Sequence, residues 1–328
     1  MPTLSVIVPF YNERQSLQEL ARELREALSD ERLHALFPAP FTHEVIMVDD
    51  GSTDGSLEVA ETLAEDSEEV KLISFRKNTG KTAALSAGFR VAEGEFVCTL
   101  DADLQDDPRA IRPMLEKLLE GHDLVSGWKR HRRDPLSKTI PSRIFNSVTG
   151  LFTGVRLHDM NCGLKAYRRE LSGSLELHGD MHRYIPVLAA WKGYRITELP
   201  FEHRRRRYGR TKYGPARFLS GLLDFFAVLF ITRYFRRPMH FFGTAGLASF
   251  LTGFAISLWV SLDKIINNRY LTNRPILFLG ILLLILGVQL FSTGLLGEML
   301  SMSSKEREPL SIRETRNLSS QQQKTISE

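Results

Sequence analysis

Residues 96–108 read Phe96-Val97-Cys98-Thr99-Leu100-Asp101-Ala102-Asp103-Leu104-Gln105-Asp106-Asp107-Pro108. A short apolar run stops abruptly at Asp101 and Asp103, with Gln105 two residues further on. Residues i and i+2 of a strand point to the same side, so the two carboxylates converge where the strand leaves its sheet. Two carboxylates and an amide oxygen form a hard oxygen site suited to Mg2+ or Mn2+, whose usual biological ligand is a diphosphate. A lone Asp-X-Asp is also what a solvated turn after a strand looks like. Repetition upstream decides in favour of a site.

Three earlier runs end the same way. Residues 4–10 lead into Tyr11-Asn12-Glu13. Residues 44–48 lead into Asp49-Asp50-Gly51-Ser52-Thr53-Asp54, and residues 70–75 into Arg76-Lys77-Asn78-Thr79-Gly80-Lys81. Helical patterns at 14–29, 56–65 and 82–92 separate the runs. Strands alternating with helices predict a doubly wound, mostly parallel α/β sheet with right-handed crossovers. Ligands of such sheets bind beyond the carboxyl ends of the strands, where all four polar clusters collect. By chemistry, Asp50 suits a base or ribose as a strong acceptor, while Lys77 and Lys81 suit phosphate charge. Residues 51–54 also read as a turn with a helix cap. A phosphate-cradling loop at 78–82 is excluded, because Phe75 stands where that motif needs glycine.

The chain has 328 residues and a net charge of +4. Residues 241–262 and 275–297 carry no charge, and as helices they reach about 33–35 Å, enough to cross a bilayer core. Trp259 suits an interfacial position. The connection over 263–274 is short, so both outer ends of the pair face one side. The apolar run at 4–10 is too short for a secretory signal, which predicts a multi-pass protein of the inner, cytoplasmic membrane with its catalytic domain and C-terminus in the cytoplasm. Arg233, Arg236 and Arg237 agree with that, whereas Lys264, Arg269 and Arg274 weaken the asymmetry. Two cysteines, Cys98 and Cys162, give no disulfide framework. The expected organisation is a catalytic domain over 1–213, interfacial amphipathic helices over 214–237, two membrane helices over 238–300 and a polar, disordered tail over 301–328.

Positive charge is concentrated. Residues 129–143 hold six Lys/Arg against Asp134, and residues 203–217 hold seven with no acid, so the remainder is net acidic. Nucleic acid is not the expected partner, because the basic runs lie beside a membrane anchor and lack interleaved aromatic platforms. Lipid headgroups, or a phosphate carried on a lipid, suit the geometry. Residues 214–232 then read as an interfacial helix leading to the first span.

Taken together, Pro9-X-Tyr11-Asn12-Glu13, Asp49 to Asp54, Asn78-X-Gly80-Lys81 and Asp101 to Pro108 resemble glycosyltransferase family 2. Asp159-X-X-Cys162-Gly163-Leu164-X-Ala166-Tyr167, His182 to Pro186 and His203-X-X-Arg206-X-X-Gly209-X-Thr211-Lys212-Tyr213 are similar to its polyprenyl-phosphate branch. The resemblance covers residues 3–300. It implies a GT-A fold, inverting transfer from a nucleotide-sugar, with UDP favoured, to a polyprenyl phosphate, and a tetramer. By the same resemblance, Pro9, Tyr11, Glu13 and Asp50 hold the nucleotide, and Asp101, Asp103 and Gln105 hold Mg2+ or Mn2+ with the diphosphate. Arg206 and Lys212 clamp phosphates. Arg143 takes the lipid phosphate, with Lys129, Asn146 and His182 as further candidates. Which of Arg204 to Arg207 enters the site stays open, as does the role of His182, which reads equally as packing.

A phosphate monoester has its second pKa near 6, so this acceptor is already anionic and needs no general base. Positioning and charge neutralisation carry such a transfer. Asp159 is then expected to orient rather than to accept a proton, with a structural turn as the alternative. A processive polysaccharide synthase is disfavoured, because none of Trp128, Trp191 and Trp259 completes Gln-X-X-Arg-Trp. A non-catalytic nucleotide-binding scaffold on the membrane is the reading from a different class.

Overall fold

A computed structural model describes residues 2–129, 146–147, 149–150, 153–202, 204, 207, 238–267, 275–303 and 312–316. The chain forms two units, Met1–Val228 with Glu308–Glu328, and Leu229–Arg307.

The first unit is built on strands β1 (Leu4–Phe10), β2 (His43–Asp49), β3 (Val70–Phe75), β4 (Phe96–Thr99), β5 (Leu124–Lys129), β6 (Lys165–Arg168), β7 (Ile196–Phe201) and β8 (Ile312–Arg316). They form one sheet in the order β7-β5-β6-β4-β1-β2-β3-β8. β1 runs parallel to β2 and β4, β2 to β3, and β5 to β7. β6 is antiparallel to both its neighbours, so the sheet is mixed but mostly parallel, as the alternation of elements predicts. Helices α1 (Arg14–Leu28), α2 (Ser56–Glu65), α3 (Lys81–Val91), α4 (Ile111–Leu119), α5 (Arg169–Ser174) and α6 (Ile185–Trp191) cover it.

Every residue of β1 is buried, which is why it reads as one continuous apolar run: a central strand is covered on both faces. In α1 the buried positions Leu17, Leu20, Leu24 and Leu28 follow the helical repeat and join the core beneath β1 and β2. Each such leucine contributes about 1.5–3 kcal/mol relative to exposure.

The expectation of a disordered tail over 301–328 needs correction. Residues 312–316 form β8, which pairs antiparallel with β3 along the sheet's edge, and the second membrane helix runs to Ser303. Polar composition argues against a packed core but not against edge pairing, which is carried by backbone groups that an open edge leaves unpaired. The interfacial helices expected over 214–237 lie outside the described residues.

The second unit contains α7 (Pro238–Asn267) and α8 (Pro275–Ser303). Glycines bring their backbones together: a Cβ at Gly253 would lie 2.6 Å from the Gly280 carbonyl oxygen, and one at Gly287 would lie 2.7 Å from that of Gly246. Small residues at the contact allow this approach where lipid supplies no hydrophobic drive between helices. Both helices are long and apolar enough to span a membrane, over Phe241–Asn267 and Pro275–Gly297.

Candidate active site

The carboxyl ends of β1, β2, β3 and β4 gather the four polar clusters at one edge of the sheet. Pro9 and Phe10 close β1 opposite Val48 and Asp49 of β2. Beyond β1 the backbone turns through Asn12, whose φ of 53° lies in the left-handed region. That turn is stitched to the next cluster. The Asn12 amide donates to Ser52 Oγ (2.9 Å), the Asn12 side-chain oxygen accepts from the Thr53 amide (2.7 Å), and the Glu13 amide donates to Ser56 Oγ (2.8 Å). Tyr11 and Glu13 are thus presented from a braced loop, both part-exposed.

Asp49 and Asp50 are buried and turn inward. Asp49 accepts from the Ser52 amide and from Ser74 Oγ, each at 2.9 Å. Asp50 accepts from Asn78 Nδ2 (3.0 Å) and from the amides of Thr79 (2.7 Å) and Gly80 (2.9 Å). Its carboxylate therefore holds the 78–80 loop; burial raises its pKa despite the donors from Thr79 and Gly80. Gly51, at φ 74°, lets this loop close: a Cβ there would lie 2.6 Å from the Lys77 carbonyl carbon. Lys77 is exposed at the rim.

The 78–80 loop delivers Lys81 to the start of α3, where its ammonium hydrogen-bonds and ion-pairs with Asp101 Oδ1. Burial pushes the Asp101 carboxyl up, but Lys81 first, then Lys129 and Lys165, outweigh it and hold the group at about 2. Behind Asp101 stands Gly163, where a Cβ would lie 2.4 Å from the carboxyl carbon. Asp103 accepts from the Gln105 amide at 3.2 Å. Leu104 between them has φ 59° and is buried in the core. A left-handed leucine costs about 1–2 kcal/mol, so apolar burial is what fixes the turn carrying Asp103 and Gln105.

Beneath Asp101 lies a charged layer. Lys129 faces Asp106, which is 1% exposed, at 3.4 Å. Burial works against the Lys129 charge, but Asp106, Asp159 and Asp101 outweigh it and raise the pKa. Lys165, also buried, donates to the Cys162 carbonyl, and burial lowers its pKa. Burial raises the Cys162 thiol, leaving it a protonated packing group. Asp159 is 2% exposed, and the residue before it, though exposed, has several partners. Glu198 accepts from the His158 amide (2.8 Å) and contacts its ring Nδ1, Asn146 Nδ2 donates to the His158 carbonyl (2.7 Å), and the ring stacks on Trp128 at 4.0 Å. His182 Nδ1 meets Thr82 Oγ1 at 2.8 Å, tying it to the start of α3.

The structure therefore brings Asp50, Lys81, Asp101, Asp103, Lys129, Asp159 and His182 to one region, and gives Asp50, Lys129 and Asn146 partners within the protein. Arg143, Arg206 and Lys212 lie outside the described residues. Of the arginine run, Arg204 ion-pairs with Glu23 (2.7 Å) and Asp107 (2.8 Å), and Arg207 pairs with Glu19. Both tie the segment to the α1 side; Arg205 lies outside the described residues, as Arg206 does. Sequence reasoning missed Lys165, Asp106 and Glu198. Asp106 and Lys165 sit beside or inside quoted motifs, while Glu198, in a plain strand, carries no signal.

Among the described residues no group of three or more His, Cys, Asp or Glu side chains is placed to hold a metal ion; Asp101 and Asp103 offer two carboxylates. Mg2+ is usually held by one or two carboxylates with substrate phosphates completing the shell, and Asp101 already accepts a cation, the Lys81 ammonium.

Comparison with known proteins shows the family and the fold. The profile of the family Glycosyl transferase family 2 matches residues 5–175. Dodecaprenyl-phosphate galacturonate synthase of Rhizobium johnstonii is 38% identical over 303 residues, 91% of this chain and 87% of the relative. Undecaprenyl-phosphate 4-deoxy-4-formamido-L-arabinose transferase of Pseudomonas aeruginosa is 33% identical over 299 residues, 90% of this chain and 84% of the relative. Glucosyl-3-phosphoglycerate synthase from Mycobacterium tuberculosis, solved with Mn2+, UDP and glucosyl-3-phosphoglycerate, superposes with a TM-score of 0.53 at 20% identity, covering 70% of this chain and 80% of that one. At that identity the likeness shows the fold alone.

Proposed function

We propose, for a chain that belongs to glycosyl transferase family 2, that it transfers a sugar from a UDP-sugar to a polyprenyl phosphate, with inversion, at the cytoplasmic face of the inner membrane. One observation carries the acceptor. The two relatives differ in their sugar, a galacturonate and a formamido-arabinose, but both names specify a polyprenyl phosphate, and both align over nine-tenths of this chain. The acceptor is what such relatives share, whereas the sugar is set by pocket shape. The two apolar helices supply the membrane attachment that a lipid substrate requires.

In this reading Tyr11 and Glu13, on their braced loop, face the nucleotide with Pro9 at the strand end. Asp50 acts by shaping the 78–80 loop, and Lys77 and Lys81 meet the diphosphate. Asp101, Asp103 and Gln105 hold Mg2+ or Mn2+, which when bound neutralises the charge that develops on the departing diphosphate. Arg143, Arg206 and Lys212 hold the acceptor phosphate, with His182 at its edge and Lys129 and Asn146 behind. The phosphate oxygen attacks the anomeric carbon directly. Asp159, fixed through His158, orients sugar or acceptor and takes no proton, because the attacking oxygen carries none. A homotetramer is the assembly this reading expects.

Nucleoside diphosphate release tests the proposal, measured on detergent-purified protein with a panel of UDP-sugars, Mn2+ or Mg2+, and undecaprenyl phosphate. Release that needs both lipid and metal and is lost in Asp103→Ala supports it. Release that proceeds without lipid, or survives that substitution, contradicts it.

A further inference from the structure

The ion pair between Lys81 and Asp101 places an ammonium on the carboxylate assigned above to the metal. We propose that Lys81 is a resident counter-cation for Asp101, yielding it to a divalent metal only when the metal arrives with a nucleoside diphosphate, to whose phosphates Lys81 then moves. This inference rests on reading the strand ends as the nucleotide-sugar site.

Three features of the site lead there. First, Asp101 is backed closely by Gly163, with no room for even a Cβ between them. Lys81 can move. The two side chains are about equally open, at 29% and 30% exposure, and a lysine stem carries a compact charge with three rotatable donors, suited to passing from carboxylate to phosphate. Second, the backbone on which Lys81 turns is fixed, since Asp50 holds the amides of Thr79 and Gly80 just before it. Motion is thereby confined to the side chain.

Third, the charge count favours joint arrival. Lys81, Lys129 and Lys165 stand against Asp101, Asp106 and Asp159 in the mutually interacting layer, and Asp103 follows Asp101 by two residues. With Asp103 counted, three lysines stand against four carboxylates, so the cluster is within one charge of balance before any ligand enters. A divalent ion alone adds two positive charges to a partly buried cluster and must evict an existing partner, which desolvation opposes. The diphosphate of a nucleotide-sugar brings two negative charges, so metal and nucleotide together leave the balance unchanged and give the displaced ammonium a new anion. Metal and nucleotide affinities are then strongly coupled, and reciprocally so.

The test is Mn2+ binding to the full-length protein in detergent, read from the free-Mn2+ paramagnetic resonance signal, without nucleotide and with saturating UDP or GDP. Wild type is expected to bind Mn2+ at least about tenfold more tightly with nucleotide than without. Lys81→Gln is expected to bind Mn2+ without nucleotide at least about tenfold more tightly than wild type and to lose most of the nucleotide effect. Lys81→Arg, which keeps the charge, should stay near wild type. Lys81→Met repeats the test if the glutamine variant does not fold. If removing the charge leaves Mn2+ affinity without nucleotide unchanged while nucleotide still tightens Mn2+ in wild type, this inference is wrong and the site assignment stands. If wild type holds no Mn2+ even with either nucleotide, the metal assignment falls and this inference with it.

Discussion

Gly163 sets the position of Asp101 by having no side chain. A methyl group there would lie 2.4 Å from the Asp101 carboxyl carbon, so Gly163→Ala must push the carboxylate off its place. Displacements of about 1 Å at a reacting centre cost about a hundredfold in rate. Gly163→Ala is expected to lower kcat by about that factor while the melting temperature stays close to wild type; unchanged turnover contradicts this. His182 gives a prediction in pH. Burial first, then the charges of Lys81 and Arg183, hold its pKa well below 6.5. As pH falls below about 6.5, the unfolded chain takes up a proton that the folded chain refuses. The stability linked to neutral His182 is therefore complete above that pH and is lost as pH falls toward the folded value. Melting temperature measured from pH 7.5 to 5.5 should fall more for wild type than for His182→Asn, and parallel curves would refute the assignment. At this scale the sequence announced the residues that stand in motifs, Asp101, Asp103, Lys81 and Asp159. It could not announce Glu198, whose role depends on β7 lying near the His158 turn. Nor could it show that Asp50 and Asn146 face protein groups, because a carboxylate or amide looks the same in sequence whether it meets a ligand or a backbone amide.

The loop over 78–80 is the element on which the donor side of the site depends. Its three donors converge on one buried carboxylate, and hydrogen bonds to a charged group each contribute about 1.5–3 kcal/mol. Asp50→Ala is expected to destabilise the protein by about 2–4 kcal/mol in urea unfolding and to raise the KM for the donor more than that for the acceptor. An equal effect on both would contradict a local role. Elements of this kind were legible where periodicity is strong. Residues 4–10, 56–65 and 70–75 form the strand, helix and strand expected of them, because buried strands and amphipathic helices write their periods into side-chain polarity. β6 reads as a motif rather than a strand. Its antiparallel direction, like the addition of β8 to β3, is settled by backbone pairing between distant segments, which leaves no local pattern.

For the whole molecule, the proposed reading of two spans after a sheet domain puts the domain and residue 328 on the same side. Reporter fusions at residue 328 and in the 268–274 connection should report opposite sides, with the C-terminal fusion cytoplasmic. Identical signals from both would break the two-span reading. The proposed function sets the reaction at the membrane surface, where a nucleotide-sugar from water meets a phosphate held by a lipid. The mass of the lipid product tests that claim most directly, after incubating purified protein with undecaprenyl phosphate, metal and the donor that supports nucleotide release. The account predicts a lipid carrying one sugar and a single phosphate. A lipid carrying a sugar on a diphosphate, or a sugar found on any other acceptor while the lipid stays unchanged, would contradict it.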